Sequence, residues 1–334
     1  MAYETGSTTS SNDLLDKLRL FVIVLGWTVN RWVTAGSGKE LCIQKGSAYF
    51  NLRSYSNESV TICGQTTANK YGIAINGSDA YSAGSAWDRQ TGYPVLDGAS
   101  AGANQIQSYM PLVVNFGPFP AYYFFSPNAD NIHVELEIET GKFLRFGFGS
   151  LDLFNPAAAG GGRYFYAPGS DVSVTSSIST STWLGSDIDS QTYSLEEVPF
   201  RLADFTYTNG NAIGSYLRAA FDSFDNWCSS SYTTSNYRTG QACQGGGVHD
   251  KILRDSSPNP INGIGFLTPN IVSVNRSNTT LNPVGTIPGL RFMDMTNYQP
   301  GDEFTIGSDT WKVFPWYQKS GRSAQRGIAY KKVP

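Results

Sequence analysis

Between Ile132 and Phe148 apolar and polar residues alternate with a period of two. Ile132, Val134, Leu136 and Ile138 fall on one face of an extended segment, and His133, Glu135, Glu137 and Glu139 on the other. That pattern predicts a strand with one buried face. The next run repeats it, with Leu144, Phe146 and Phe148 on one side and Arg145 and Gly147 on the other. A three-residue loop, Glu139-Thr140-Gly141, brings the two apolar faces into register: Leu136 opposite Leu144, Val134 opposite Phe146, Ile132 opposite Phe148. On the polar side Glu135 then meets Arg145. A two-residue turn would set Leu136 against Arg145, so the pattern rejects it. Gly141 takes the left-handed loop position, which glycine adopts without steric cost. One face of this hairpin is expected in a core, and the other either solvated or docked on a partner.

Near the N-terminus the period changes. Leu14, Leu15, Leu18, Phe21, Val22 and Leu25 share one helical face, with Asp13, Asp16, Lys17 and Arg19 largely off it. Asn12 or Ser11 is the expected cap and Gly26 the expected stop. Residues 1–12 read as a polar arm that orders only on a partner. Short strands are expected at Trp27–Val33, Glu40–Gln44 and Ser47–Arg53, with turns at Gly36-Ser37-Gly38 and Lys45-Gly46, and two more at Val60–Gly64 and Tyr71–Asn76. Residues 77–110 lack periodicity and read as a long loop, so a domain boundary is placed near residue 95. Strands return at Leu112–Phe116, Ala121–Phe125 and Arg163–Tyr166. A short helix is expected at Ile213–Phe221. Residues 155–162, 168–194 and 228–247 read as loops. The C-terminal part predicts strands at Ile271–Asn275, Leu290–Met295, Glu303–Ile306, Thr310–Pro315 and Gly327–Lys331, with Ser308-Asp309 turning the penultimate hairpin. The expected fold is mainly β (α+β): antiparallel, sandwich-like sheets with an N-terminal amphipathic helix and long loops. It divides into an arm (1–12), a helix-plus-sheet domain (13–95) and a β-rich domain (96–334).

Composition sharpens this. Charged residues make up 15% of the 334 positions, against about 25% in ordinary soluble domains. Aromatic residues reach 13% and glycines number 35. Such a chain suits tight-turned β folds and subunits that hide much of their surface in an assembly. A net charge of −3 gives no electrostatic reason to bind nucleic acid or anionic lipid. The N-terminus carries no basic-then-apolar leader, and the longest apolar run, Leu20 to Leu25, is too short to span a bilayer. The expectation is therefore a soluble protein made in the cytosol, with Cys42, Cys63, Cys228 and Cys243 as free thiols. Spacing leaves Cys42–Cys63 and Cys228–Cys243 bridges open.

Candidate chemistry is sparse. Gly36-Ser37-Gly38-Lys39 lacks the first glycine of a phosphate loop, whose place is taken by Val33, and Glu40 follows the lysine. Gly147-Phe148-Gly149 starts a dinucleotide fingerprint, but Asp152 stands at its last position and a strand, not a helix, carries it. The two histidines are His133 and His249. Cys243 with His249 supplies two metal ligands where at least three are needed, and no serine sits in a nucleophile elbow. Asp187, Asp189, Glu196, Glu197, Asp222 and Asp225 leave a carboxylate-pair glycosidase as the enzyme reading still open. Trp183, Trp227, Trp311 and Trp316 are candidate sugar platforms, or core or interface residues. Sequons at Asn57, Asn76, Asn275 and Asn278 carry little weight without a leader. No catalytic, cofactor-binding or metal-binding residue is assigned, and no cofactor is expected.

Several segments carry a resemblance: MAYETG with SNDLLDKLRLF at the start, FFSPNADNIHVELEIETGKFLRFGFGSLDLF in the middle, EEVPFRLAD, and at the end PGLRFMDMTNY, PGDEFTIGSDTWKVFPWYQK and RGIAYKKV. Together the chain resembles virion structural proteins of tailed bacteriophages over most of its length, with residues 77–110 and 168–190 least distinctive. The resemblance implies a non-enzymatic particle component of the tail or neck, with collar, tail-tip, baseplate and head-decoration positions left open. It would be present in several copies, in contact with itself and with other virion proteins, and located in the virion. It implies no direct nucleic-acid binding and no membrane contact. A receptor- or glycan-binding β-sandwich that touches the host surface is the alternative.

Overall fold

The computed structural model describes residues 2–62, 65–93, 110–113, 118–155, 162–169, 214–220, 228–229, 243–244, 267–277, 280–315, 319 and 326–333. After strand β1 (Ala2–Thr8) comes the helix α1 (Ser11–Val24), then β2 (Thr28–Ala35), β3 (Gly38–Lys45), β4 (Ala48–Ile62), β5 (Gln65–Ser78) and β6 (Met110–Val113). The middle of the chain gives β7 (Phe119–Ser126), β8 (Ile132–Glu139), β9 (Lys142–Ser150), β10 (Asp152–Leu153), β11 (Arg163–Gly169), β12 (Gly214–Ala220), β13 (Cys228–Ser229) and β14 (Cys243–Gln244). The C-terminal part gives β15 (Thr268–Ser277), β16 (Thr280–Asp294), β17 (Glu303–Ile306), β18 (Asp309–Pro315) and β19 (Arg326–Lys332).

These strands form three antiparallel sheets. An N-terminal meander runs β2-β3-β4-β5-β6, a central sheet runs β1-β7-β8-β9-β11-β12-β13, and a C-terminal sheet runs β14-β15-β16-β19-β18-β17 with β10 paired to β16. The central sheet is covered on both faces. Phe124, Ile132, Val134, Leu136, Leu144, Phe146, Phe148 and Phe165 share one core with α1 and the N-terminal meander. Trp27 meets Phe148 edge-on at 5.6 Å, and Phe21 packs on Phe124 at 5.3 Å. The alternate residues Phe125, Phe143, Tyr164 and Tyr166 share a second core with Leu290, Phe292, Phe314, Ile328 and Tyr330 of the C-terminal sheet. The period of two thus sorts each central strand between two cores.

The key hairpin has the expected register: Ile132 pairs with Phe148, Val134 with Phe146, Glu135 with Arg145 and Leu136 with Leu144. Its loop is shorter than expected. Glu139 pairs with Lys142, so Thr140-Gly141 make the turn and the extra residue is taken up as an irregularity between Glu137 and Glu139. Gly141 sits at φ 76°. The larger correction concerns the polar face. Its inner half is neither solvated nor left for another chain: His133 and Glu135 are fully buried and Arg145 is 2% exposed, beneath the C-terminal sheet of the same chain, while Glu137 is half-buried and Glu139 at the hairpin end is exposed.

Other expectations shift in the same way. Residues 2–8 are not a free arm: β1 pairs with β7, and Thr5 Oγ1 donates to the Tyr122 carbonyl at 2.8 Å. An unpaired sheet edge supplies backbone partners that a short polar segment cannot supply for itself. The helix cap is Ser10, one residue before the expected pair. Its hydroxyl accepts from the Asp13 amide at 3.2 Å, while Asp13 accepts from the Thr9 amide at 2.9 Å. The helix buries the expected leucines and Phe21, and Gly26 follows it at φ 82°. Ser47–Arg53 and Val60–Gly64 were expected as separate strands, but β4 runs continuously through Ile62. The expected helix at Ile213–Phe221 is the strand β12, paired between β11 and β13, so ladder partners outweigh local propensity. Gly307-Ser308, not Ser308-Asp309, turns the β17–β18 hairpin, since Ile306 pairs with Asp309. The boundary near residue 95 does not separate cores, because Leu18, Phe50 and Ile73 pack with Val134 and Phe146. The part of the 77–110 region that is described folds back on its own sheet: Trp87 and Gln90 are buried, and Arg31 Nη2 donates to the Ala83 and Ser85 carbonyls at 2.8 Å.

The Gly141 backbone gives a stability prediction. A Cβ there would meet no atom within 4 Å, so only the left-handed φ resists substitution. Gly141→Val is expected to lower unfolding free energy by about 1–3 kcal/mol, measured by chemical denaturation at constant m-value. A loss below the error of that measurement would contradict the loop assignment.

Candidate functional site

The chemistry-bearing groups of the described chain converge between the central and C-terminal sheets. Strand alternation aims His133 and Glu135 of β8 and Arg145 of β9 at the C-terminal sheet. From β11, Tyr164 and Tyr166 enter the same layer. Tyr166 reaches it because of a glycine. His133 pairs across with Gly147, and Gly147 with Tyr166. A Cβ on Gly147 would lie 2.6 Å from the Tyr166 ring, so the missing side chain is what lets that ring lie across β9. The hydroxyl then reaches His133 Nδ1 at 2.9 Å. Gly149 makes room for a different neighbour: a Cβ there would run into Asn131 and the Asp130 carbonyl, and it is Asn131 Oδ1 that accepts from the Tyr164 hydroxyl at 2.8 Å. The two tyrosine rings are nearly parallel, at 2°, with centroids 6.3 Å apart. The Gly-Phe-Gly of β9 pairs residue for residue with the Tyr-Phe-Tyr of β11.

The bonds continue into the C-terminal sheet. His133 Nε2 donates to the Pro288 carbonyl of β16 at 2.7 Å. The Tyr330 hydroxyl of β19 donates to Glu135 Oε2 at 2.9 Å. Arg145 Nη2 bonds Glu135 Oε1 at 3.0 Å and the Pro315 carbonyl of β18 at 2.8 Å. Since β16, β19 and β18 are adjacent in that order, the central sheet holds three neighbouring strands of its cover by one polar bond each. Burial holds the His133 imidazole down to about 4 against the pull of its bond to Pro288. Burial pushes the Glu135 carboxyl up to about 7, opposed by Arg145 and by the Tyr330 hydroxyl. Tyr166 and Tyr330 are raised well above the usual phenol range by the same desolvation.

A second polar fastening joins the central sheet to the N-terminal meander. Arg163 donates from Nη1 to the Ser47 and Ser78 carbonyls at 3.2 and 3.0 Å, and from Nη2 to Asp79 at 2.7 Å. Sequence reasoning weighed neither Arg163 nor the two tyrosines. The shared i, i+2 spacing of Gly147/Gly149 and Tyr164/Tyr166 was the available signal.

Residues weighed from sequence fall elsewhere. Gly36-Ser37-Gly38-Lys39 is a β2–β3 turn clasped against β4. A Cβ on Gly38 would run into the Ser54 backbone, the Ser37 hydroxyl donates to the Ser56 carbonyl, and Lys39 Nζ donates to Thr34 Oγ1 at 2.8 Å. Its glycines serve packing, not phosphate. Cys42 is a buried free thiol, pushed up to about 12 by burial, so the Cys42–Cys63 bridge is not formed. Trp311 is 6% exposed and packs with Met293 and Val313, and Asn76 is buried. His249, Asp187, Asp189, Glu196, Glu197, Asp222, Asp225, Trp183, Trp227 and Trp316 lie outside the described residues, as does Cys63. Among the described residues no group of three or more His, Cys, Asp or Glu is placed to hold a metal, and no helix is long and apolar enough to cross a membrane.

No family model matches this chain, and no curated protein matches it.

The seam defines its own mutational signature. Gly147→Ala places a methyl against the Tyr166 ring, and overpacking of this kind costs about 1–3 kcal/mol. Arg145→Met strands Glu135 without its cation, and breaking a buried pair by removing one partner costs roughly 3–5 kcal/mol. Denaturant unfolding at pH 7 is expected to rank the losses as Arg145→Met above Gly147→Ala. The reverse order would mean that packing, not the ion pair, governs the seam.

Proposed function

We propose that the chain is a structural subunit of a tailed-phage virion, a tail or neck component assembled in several copies with other virion proteins, and that it performs no catalysis. The observation that carries this reading is the sealed state of the histidine, carboxylate and tyrosine cluster among the described residues. His133 and Glu135 have no exposed surface, and their partners are residues of the same chain. A catalytic acid or base must come within hydrogen-bond reach of a substrate, whereas these groups hold two sheets together. The resemblance of the hairpin and C-terminal segments to virion proteins supplies the particle context.

The exposed surface supports assembly. Leu20, Ile23 and Val24 are 51%, 43% and 84% exposed on the outer side of α1. They follow i, i+3, i+4 spacing and so form one apolar stripe. Val33, 46% exposed, lies on β2, the edge strand of the N-terminal meander. Of the four described tryptophans, Trp27, Trp87 and Trp311 are buried, which leaves the glycan-binding alternative the half-buried Trp32 of β2, whose ring carries the Arg19 guanidinium at 5.0 Å.

Two measurements test the proposal. Cryo-electron microscopy of intact particles is expected to show several copies of this fold in the tail or neck. Purified chain that depolymerises host-surface polysaccharide would sink the non-catalytic reading, and particles complete without it but unable to adsorb would favour receptor binding. Ile23→Asp with Val24→Asp is expected to reduce incorporation into particles at least tenfold. The isolated chain should change in stability by no more than about 0.5 kcal/mol per site, as exposed positions do.

A further inference from the structure

The N-terminal meander has two unlike faces. Leu41, Ile43, Phe50, Leu52, Ile73 and Ile75 alternate onto the inner one, in the core shared with α1 and the central sheet. On the outer face the ladders set Arg31 beside Cys42, Cys42 beside Asn51 and Asn51 beside Asn76, with Glu40 beside Arg53. Polar side chains of this kind belong to the solvated side of an antiparallel sheet. Yet Cys42, Asn51 and Asn76 are buried. Among the described residues their cover is the segment 79–92, whose 3-10 turn at Trp87–Arg89 packs against β3 and β4.

This segment is bonded to itself at its ends and in its middle. The Asp79 and Ala80 amides both donate to the Thr91 carbonyl, at 2.8 and 3.3 Å, and a Cβ on Gly92 would run into the Asp79 side chain. The buried Gln90 side chain accepts from the Ser82 amide at 2.6 Å and donates to the Ser85 and Ala86 carbonyls at 3.1 and 2.9 Å. A loop closed at its ends and packed by its own side chains keeps its shape without the sheet beneath it. It is fastened to that sheet by Arg31 Nη2, which donates to the Ala83 and Ser85 carbonyls at 2.8 Å. Asn76 Nδ2, which donates to the Asp88 carbonyl at 3.3 Å, and the buried Trp87 hold it as well. Its root is gripped from the central sheet, where Arg163 of β11 reaches Asp79 at 2.7 Å.

We propose that the segment 79–92 is a hinged strap. Rooted at Asp79, it lifts off the outer face of the meander in one piece and uncovers Cys42 while the two cores against the central sheet stay intact. None of its residues belongs to either core. Lifting breaks bonds at Arg31 and Asn76 that water replaces, and the face it uncovers is polar, so the apolar cost is mainly one indole. Segments with few buried apolar contacts open in this local way, below the free energy of global unfolding.

Cys42 reports the opening. The full chain is treated in native buffer with N-ethylmaleimide at concentrations where labelling stays first order in reagent. Mass spectrometry of the Cys42 peptide separates it from Cys63, Cys228 and Cys243. Cys42 is expected to label at least about tenfold more slowly than in the unfolded chain. Its rate should barely change with guanidinium through the folded baseline, because strap opening exposes little surface. Arg31→Lys keeps a cation beside Glu40 but loses the grip on two carbonyls, and should label roughly fivefold faster or more. Gly141→Val weakens the whole fold from the β8–β9 turn, where a Cβ meets no atom within 4 Å, and should label at the parent's rate. Labelling that tracks global unfolding, either in guanidinium or in proportion to the stability lost by Gly141→Val, overturns the proposal. So does an Arg31→Lys rate equal to the parent's, or a parent thiol that labels as fast as in the unfolded chain.

Discussion

The structure depends on the burial of both faces of β8. A strand covered on its apolar side by a helix and a sheet is ordinary. Covering its other side, which carries a histidine and a glutamate, obliges every polar atom in that layer to find a partner, because an unbonded buried polar group costs about 1–3 kcal/mol and an uncompensated charge more. Glu135 finds Arg145 and Tyr330, and His133 finds Tyr166 and Pro288. Most of the architecture around the hairpin is arranged to supply those partners.

The supply explains features that read as oddities in isolation. Glycine inside a strand weakens it through lost packing and backbone entropy. Yet β9 places Gly147 opposite Tyr166, whose ring fills the space the missing side chain vacates, and Gly149 against Asn131 and the Asp130 carbonyl. An aromatic ring over a strand glycine restores the lost packing, and here the ring also delivers a hydroxyl one strand further than its own backbone reaches. The fragment that imitates a nucleotide-binding fingerprint is thus a packing device. The Gly36-Ser37-Gly38 turn is a second one, pressed against the backbone of β4.

Much of this was legible from residue order and some was not, for identifiable reasons. The hairpin register followed from matching two apolar faces, and the helix followed from its leucine spacing, because each signal lies within one or two adjacent elements. The covering of the polar face was not legible, since His133, Glu135, Glu137 and Glu139 alternate identically whether they face water or a bonded layer. Phe143 on that face, in a chain with few charges, pointed the other way. The strand β1 escaped because Ala2–Thr8 carries no apolar alternation of its own, and its pairing is provided by β7. The strand β12 escaped because Leu217, Arg218, Ala219 and Ala220 favour helix locally, while their ladder partners lie some fifty residues earlier in the chain. The candidate site was missed for the first of these reasons: its acids and bases were visible, but their common layer was not.

A polar seam also does what an apolar one cannot. Two apolar sheets in contact can slide by small steps at little cost, because dispersion and burial are non-directional. Hydrogen bonds are directional and weaken steeply when misaligned. Here they attach to three consecutive strands of the cover, at Pro288 on β16, Tyr330 on β19 and Pro315 on β18. Neighbouring strands are about 4.8 Å apart, so the outer attachments span roughly two strand spacings across the C-terminal sheet. One such point fixes translation in the plane of the sheet and a second fixes rotation, so three leave one docking of that sheet with all bonds made. For the repeating subunit proposed above, that uniqueness would matter more than extra stability. Replacing the seam with apolar residues would then be expected to leave the fold stable but its sheets variably aligned.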